Sequence, residues 1–175
     1  DTLRNKNADK DSLANGQLKV VYFPSCINQT MGLPKKSPVE QALASKMIAL
    51  LQKGGYEVIF PENMEKLCCG TIWESKGMLD IADRKSAELE AALWKASEQG
   101  RYPVLCDQSP CLHRMRETIH KMKLYEPAEF IYTFLRNRLV FTPTDRPVAV
   151  HITCSMRKMG LADTITALAR LCSSK

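Results

Sequence analysis

The sequence predicts an α/β protein with an open, mostly parallel sheet and helices on both faces, a Rossmann-like three-layer arrangement. Three observations predict it. Short apolar runs of strand length alternate with stretches of helical period, proline or glycine punctuates most junctions, and each strand-like run is separated from the next by a helix. Strands joined through helices make right-handed crossovers and pair in parallel.

The elements follow in order. LKVVYF, residues 18–23, reads as a buried strand ended by Pro24. Pro38 sets the start of a helix with Leu43, Met47 and Leu50 on one face and Gly54-Gly55 as its stop. Residues 56–60 form a second strand, closed by Pro61. A long helix over 78–97 turns Ile81, Leu89 and Leu93 inward, and Gly100 ends it. Residues 103–106 make a third strand. Pro110 opens a helix through 120, and Pro127 opens another through 138. Proline suits the first helical turn, where its fixed φ helps and its missing N–H has no intrahelical partner to lose. A fourth strand over 147–152 and a helix from 161 to Lys175 complete the pattern.

Composition sets limits on function. At 175 residues, 45% hydrophobic and 25% charged, the chain has the make-up of an ordinary globular domain with one good core. No run approaches the ~20 apolar residues of a membrane span, so no transmembrane segment is expected. Residues 1–17 are polar and lack an apolar signal core; with no initiator Met, they read as a linker from a larger parent chain. The net charge of +6 is spread over Lys35-Lys36, Arg114/Arg116, Lys121/Lys123, Arg136/Arg138 and Arg157-Lys158. Nucleic acid would require a denser basic stripe with interleaved aromatics, so this charge reads as solvated surface and no nucleic-acid partner is expected.

An internal repeat is present. VVYFPSCINQTMG, residues 20–32, is echoed by VAVHITCSMRKMG, residues 148–160, at a constant offset of 128. Both copies run from an apolar strand through Cys-x4-Met-Gly. The expected organisation is therefore a linker over 1–17, a first cysteine-rich module over 18–140, and the opening of a second over 141–175.

The cysteines carry the chemistry. Seven is an odd count for a disulfide framework, and reduced thiols available for metal, in a cytoplasmic setting, are the reading that fits. The centre of the pattern is Cys68-Cys69-Gly70, with Cys26 before it and Cys106 and Cys111 after it. Vicinal cysteines rarely bridge each other, because the short ring strains both the S–S geometry and the intervening peptide. They suit a cluster of several irons, where adjacent thiolates reach different or shared metals. In an open parallel sheet the loops beyond the strands' carboxyl ends gather on one edge, so these dispersed thiols should meet there. Cys111 follows Pro110 in the first turn of a helix, where free amides favour an anionic sulfur. Cys154 belongs to the second copy, and Cys172 shares a helical face with Leu161, Ile165 and Leu168, as a core residue would. His113, His120 and His151 show no paired metal spacing. Trp73 lies close enough to the pair to shield a metal centre, and Asp107 and Glu74 lie near it without pairing as acid and base.

The order Cys26, Cys68-Cys69-Gly70, Cys106, Cys111 resembles the cysteine-rich CCG domain of iron–sulfur oxidoreductases. The wording FPSCINQTMG and DQSPCLHRM is similar to the C-terminal region of FAD-linked D-lactate dehydrogenases, and the resemblance runs from about Val20 to the end. The family usually carries two such modules in tandem. The chain departs from its final C-x-x-C: four residues separate Cys106 from Cys111, and Gln108 stands at the partner position. The resemblance implies an iron–sulfur cluster, of the non-cubane [4Fe-4S] type, bound by Cys26, Cys68, Cys69 and Cys111 with Cys106 as a fifth candidate. It implies electron relay from a flavin to a quinone or cytochrome. No ferredoxin run and no glycine-rich nucleotide loop occurs, so FAD and ferredoxin-like regions would lie elsewhere in the parent chain, in the cytoplasm or at the inner face of its membrane. No catalytic residue is assigned to this segment. Two alternatives stay open on the residues alone: a structural zinc site on the same thiolates, and a metal-free thiol redox module.

Overall fold

The computed structural model describes residues 17–33, 35–38 and 40–175. Apart from Gln17, the expected linker lies outside the described residues. Among the described residues four strands form one parallel sheet: β1 (Leu18–Phe23), β2 (Tyr56–Ile59), β3 (Val104–Cys106) and β4 (Leu124–Tyr125), in the order β2-β1-β3-β4. The α/β class and the open parallel sheet are as expected.

The period of two along β1 builds the layers. Val21 and Phe23 face one side with Val104 and Cys106, where α4 (Leu79–Ala96) and α5 (Ser109–Thr118) cover them with Leu89, Leu93, Leu112 and Met115. Leu18, Val20 and Tyr22 face the other side with Leu105. There α2 (Leu43–Lys53) supplies Met47 and Leu51, and α6 (Pro127–Phe130) supplies Phe130. A turn of π-helix, Ile131–Leu135, continues α6 and adds Phe134 and Leu135. Each of these side chains contributes roughly 1.5–3 kcal/mol when fully buried, so the two cores clamp the sheet from both sides and fix its edges.

Several boundaries differ from expectation for physical reasons. The first long helix begins at Leu43 rather than Pro38, because Glu40 and Gln41 are exposed and give a helical turn nothing to bury. Leu43 itself is exposed; Met47 and Leu51 form the inward face. The second strand stops at Ile59 and leaves Phe60 partly exposed against the ring of Tyr22.

The fourth strand is the main correction. Residues 147–152 have no strand pairing, and Val148 and Val150 are exposed. Its place is taken by Leu124–Tyr125, anchored by the bond from the Val104 N–H to the Lys123 carbonyl at 2.9 Å. A two-residue strand is too short to show a period, whereas an apolar run without a partner strand cannot satisfy its backbone in a sheet.

The repeat nevertheless reappears as local structure. Ser25 caps α1 (Cys26–Thr30) by accepting from the Asn28 N–H, and Thr153 caps α7 (Cys154–Lys158) by accepting from the Met156 N–H, at the same offset of 128. In both copies cysteine is the first helical residue. The last helix, α8 (Ala162–Cys172), buries none of its residues fully, and Cys172 is exposed rather than in the core. Among the described residues, no helix is long and apolar enough to cross a membrane.

Candidate metal centre

Two strand exits are tied by one carboxylate. Phe23 and Cys106 lie opposite each other at the ends of β1 and β3. Asp107, directly after Cys106 and buried, accepts the Tyr22 hydroxyl at 2.7 Å and the Ser25 N–H at 2.8 Å. Burial, then the bond to Asp107, pushes the Tyr22 phenol well up, so it stays a donor. The clamp fixes the chain immediately before Cys26 to the residue immediately after Cys106.

The Cys68-Cys69-Gly70 turn is built just as tightly. The chain leaves β2, passes a 3-10 turn at Met64–Lys66, and enters α3 (Thr71–Glu74) through Gly70. Gly70 has φ +88°, and a Cβ there would sit 2.5 Å from the Ala82 carbonyl oxygen and 2.9 Å from Arg114 Nε. Only glycine fits both the backbone and the space. The Gly70 N–H reaches Cys68 Sγ at 3.4 Å, and the Cys69 thiol donates to Thr71 Oγ1 at 3.2 Å. The Cys69 carbonyl takes two side-chain donors, Ser86 Oγ at 2.9 Å and Arg114 Nε at 3.1 Å.

Arg114 was expected among the solvated basic charges, and the structure overturns that. Its side chain is only 5% exposed; it pairs with Asp83 at 2.8 Å and with Glu74, and so joins α5, α4 and α3 to the turn. Its position one helical turn after Cys111, on the thiol-bearing face of α5, was the sequence signal for this role. Asp107 was noted only as nearby; its position after the strand-end cysteine was the corresponding signal. Arg116, the neighbouring basic residue, is also engaged, with the Leu124 carbonyl at 2.7 Å and with Glu129.

The cysteines differ widely in burial. Cys69 lies near enough to Cys68 and Cys111 for each to shift its thiol, while the hydrogen bond that this thiol donates goes to Thr71 Oγ1. Cys106 is fully buried in the same core cluster and close enough for Cys69 to act on it electrostatically. Its own thiol donates to the Gln108 carbonyl at 3.9 Å, so the residue at the family's C-x-x-C position contributes backbone only. Cys26 is exposed on α1, at the rim. Cys154 is exposed on α7, which packs on α5, and Trp73 is half-buried on α3 beside the pair. Among the described residues, no three His, Cys, Asp or Glu side chains converge as a ready cage for a metal ion. All seven cysteines are free thiols.

The donor set is sulfur-rich, the chemistry that a sulfur-bound cluster would require. It offers several thiols at one edge, an apolar shell including Met64, Leu67 and Met159, and a nearby carboxylate, Asp107, already committed to the strand exits.

The same surroundings favour the protonated thiol in the metal-free protein. The Cys69 hydrogen bond and then burial push Cys68 up, the Cys111 thiol pushes Cys69 up, and burial pushes Cys106 up. A folded thiol that holds its proton past its unfolded value stabilises the fold less as pH rises through the unfolded range. The metal-free chain should therefore keep constant stability up to about pH 8.5, where unfolded thiols ionise, and lose stability above it. Denaturant unfolding between pH 7 and 10 measures this. A flat profile, or one in which Cys106→Ala leaves the slope unchanged, contradicts the assignment.

Comparison with protein-family models, curated proteins and solved structures gives no match for this chain.

Proposed function

We propose that this chain is an iron–sulfur electron-transfer module of the CCG type, working within a flavin-linked D-2-hydroxyacid oxidoreductase such as a D-lactate dehydrogenase. The observation that supports the metal part is the Cys68-Cys69-Gly70 turn held by Arg114 of the helix that bears Cys111, with Cys69 and Cys106 buried in one core cluster against which Cys111 packs. Residues more than 40 positions apart reach one edge because Arg114 and Asp107 lock the loops that bear them. The substrate class rests on the sequence resemblance alone, as do the flavin and the quinone or cytochrome acceptor.

Cys68, Cys69 and Cys111 would hold the group, Cys106 would approach it from the core, and Cys26 would close it from the rim. When bound, an iron–sulfur cluster supplies one-electron transfer between a flavin and an acceptor. The protein's own contribution is to release thiol protons on loading, to keep water from the buried side through Cys106 and Leu112, and to leave the Cys26 side open to a partner.

Single Cys68→Ser and Cys69→Ser variants test this reading. Each should retain the fold by circular dichroism and lose most of the iron taken up by the parent under anaerobic loading. Undiminished iron in both variants contradicts it. Full loading with zinc but none with iron would favour a structural zinc site instead.

A further inference from the structure

We propose that residues 147–152 and the groove beside them are a docking site for an acidic extended segment of a partner protein, which adds to the run as a strand. Occupation of this groove requires no metal at the thiols.

The run repeats β1 at the offset of 128 and has strand-forming composition, with Val148, Val150 and Ile152 alternating with Ala149 and His151. In β1 the pattern is paired on both sides, by β2 and β3. Here, among the described residues, no backbone N–H or C=O of 147–152 is hydrogen-bonded. The backbone on either side is held. The Thr144 N–H donates to the Cys172 carbonyl at 2.9 Å, and Ser173 Oγ donates to the Arg146 carbonyl at 2.7 Å. After the run, Thr153 caps α7. The run is thus fixed at both ends with its hydrogen-bonding groups open, so a strand can add without the segment first being ordered.

Val148 and Val150 also line a groove of about 320 Å³ against α8. Ala169 extends its apolar lining, and Arg170 and Lys175 make it cationic. The charge extends beyond the groove. Residues 136–175 hold seven lysines and arginines, all exposed, against two carboxylates, Asp145 and Asp163. Among the described residues none of the seven is in an ion pair, whereas Arg114 and Arg116 of the first module are.

Backbone and charge together select the occupant. A strand that alternates acidic and apolar residues completes the backbone of 147–152, lays its apolar side chains on the valines and sets its carboxylates against Arg170 and Lys175. A second copy would bring two cationic surfaces together. A bilayer supplies anionic headgroups but no backbone to form a strand. A nucleic acid finds no aromatic side chain in the groove on which to stack a base.

The test uses the full chain and a fluorescently labelled peptide alternating glutamate and valine. Two controls share its label: a lysine–valine peptide, and the glutamate–valine peptide with N-methylated amides. Binding is read by anisotropy, and its location by hydrogen exchange with mass spectrometry. The expected result is binding of the acidic peptide alone, with slowed exchange at the amides of 148–152. Arg170→Glu together with Lys175→Glu should weaken it about tenfold without changing the thermal unfolding of the chain. No binding, equal binding of either control, or slowed exchange only elsewhere overturns the site. Concentration-dependent protection of 148–152 without peptide assigns the run to a second copy and overturns the partner segment. Phosphatidylserine vesicles that displace the peptide and protect the same amides assign the surface to a membrane and likewise overturn it.

Discussion

Gly70→Ala should lower the stability of the chain by about 3 kcal/mol and remove its metal uptake. Left-handed backbone costs a residue with a Cβ roughly 1–2 kcal/mol, and overpacking a tight site adds about 1–3 kcal/mol. The obstacle is the Ala82 carbonyl oxygen, 2.5 Å from the new methyl, and backbone cannot rotate away as a side chain can. Either α4 shifts or the Cys68-Cys69 turn opens, and both separate the thiols. Gly77→Ala is the control: its φ is +74° but nothing lies within 4 Å of the added carbon. Urea unfolding of the two variants isolates the contact. Equal losses would show that the close approach to Ala82 has no energetic weight.

Arg114→Met should cost about 2–4 kcal/mol and uncouple Cys111 from the vicinal pair. Removing one member of a buried ion pair typically costs about 3–5 kcal/mol, because the partner is left charged and dry. Here the Glu74 and Asp83 side chains are 42% and 71% exposed, so water takes over much of their solvation and the electrostatic part is discounted. What remains is the lost guanidinium packing and one of two donors to the Cys69 carbonyl, since Ser86 stays. Methionine keeps the volume, so a large loss points to the hydrogen bonds rather than to a cavity. Arg114→Lys separates charge from geometry: a point charge cannot reach the carbonyl and both carboxylates as a planar fork does. If lysine restores stability and iron uptake together, the bridging role is contradicted. Gly70 and Arg114 touch, so their effects should couple rather than add.

How far the sequence carried the fold is clearest at β1 and β4. LKVVYF is long enough to show burial on both sides, and its alternation assigns each residue to a layer. Leu124–Tyr125 is legible only once β3 exists, because its identity as a strand is a pairing with Val104 and Leu105. The segment over 147–152 shows the converse error. It carries the apolar pattern of β1 but no partner strand, and pattern without a partner does not make a sheet. The π-helical turn at Ile131–Leu135 was equally hidden, since its apolar residues continue the spacing begun at Pro127.

The candidate site divides the same way. The tight turn of the vicinal pair and its need for glycine followed from residue type. The supports did not, because Arg114 and Asp107 are charged residues whose partners lie 45, 31, 85 and 82 positions away in sequence. Local periodicity has no access to such pairs. The uneven burial of the cysteines, with Cys69 and Cys106 buried, Cys68 and Cys111 half-buried and Cys26 exposed, depends on side-chain packing that spacing cannot supply.

The most direct test of the account is iron and acid-labile sulfide content, with an absorption spectrum, after anaerobic reconstitution of this chain. The expected product is a brown protein with about four irons and a matching amount of sulfide per chain, reduced to background by Cys69→Ser. A colourless, iron-free product from fully reduced thiols would contradict the metal centre.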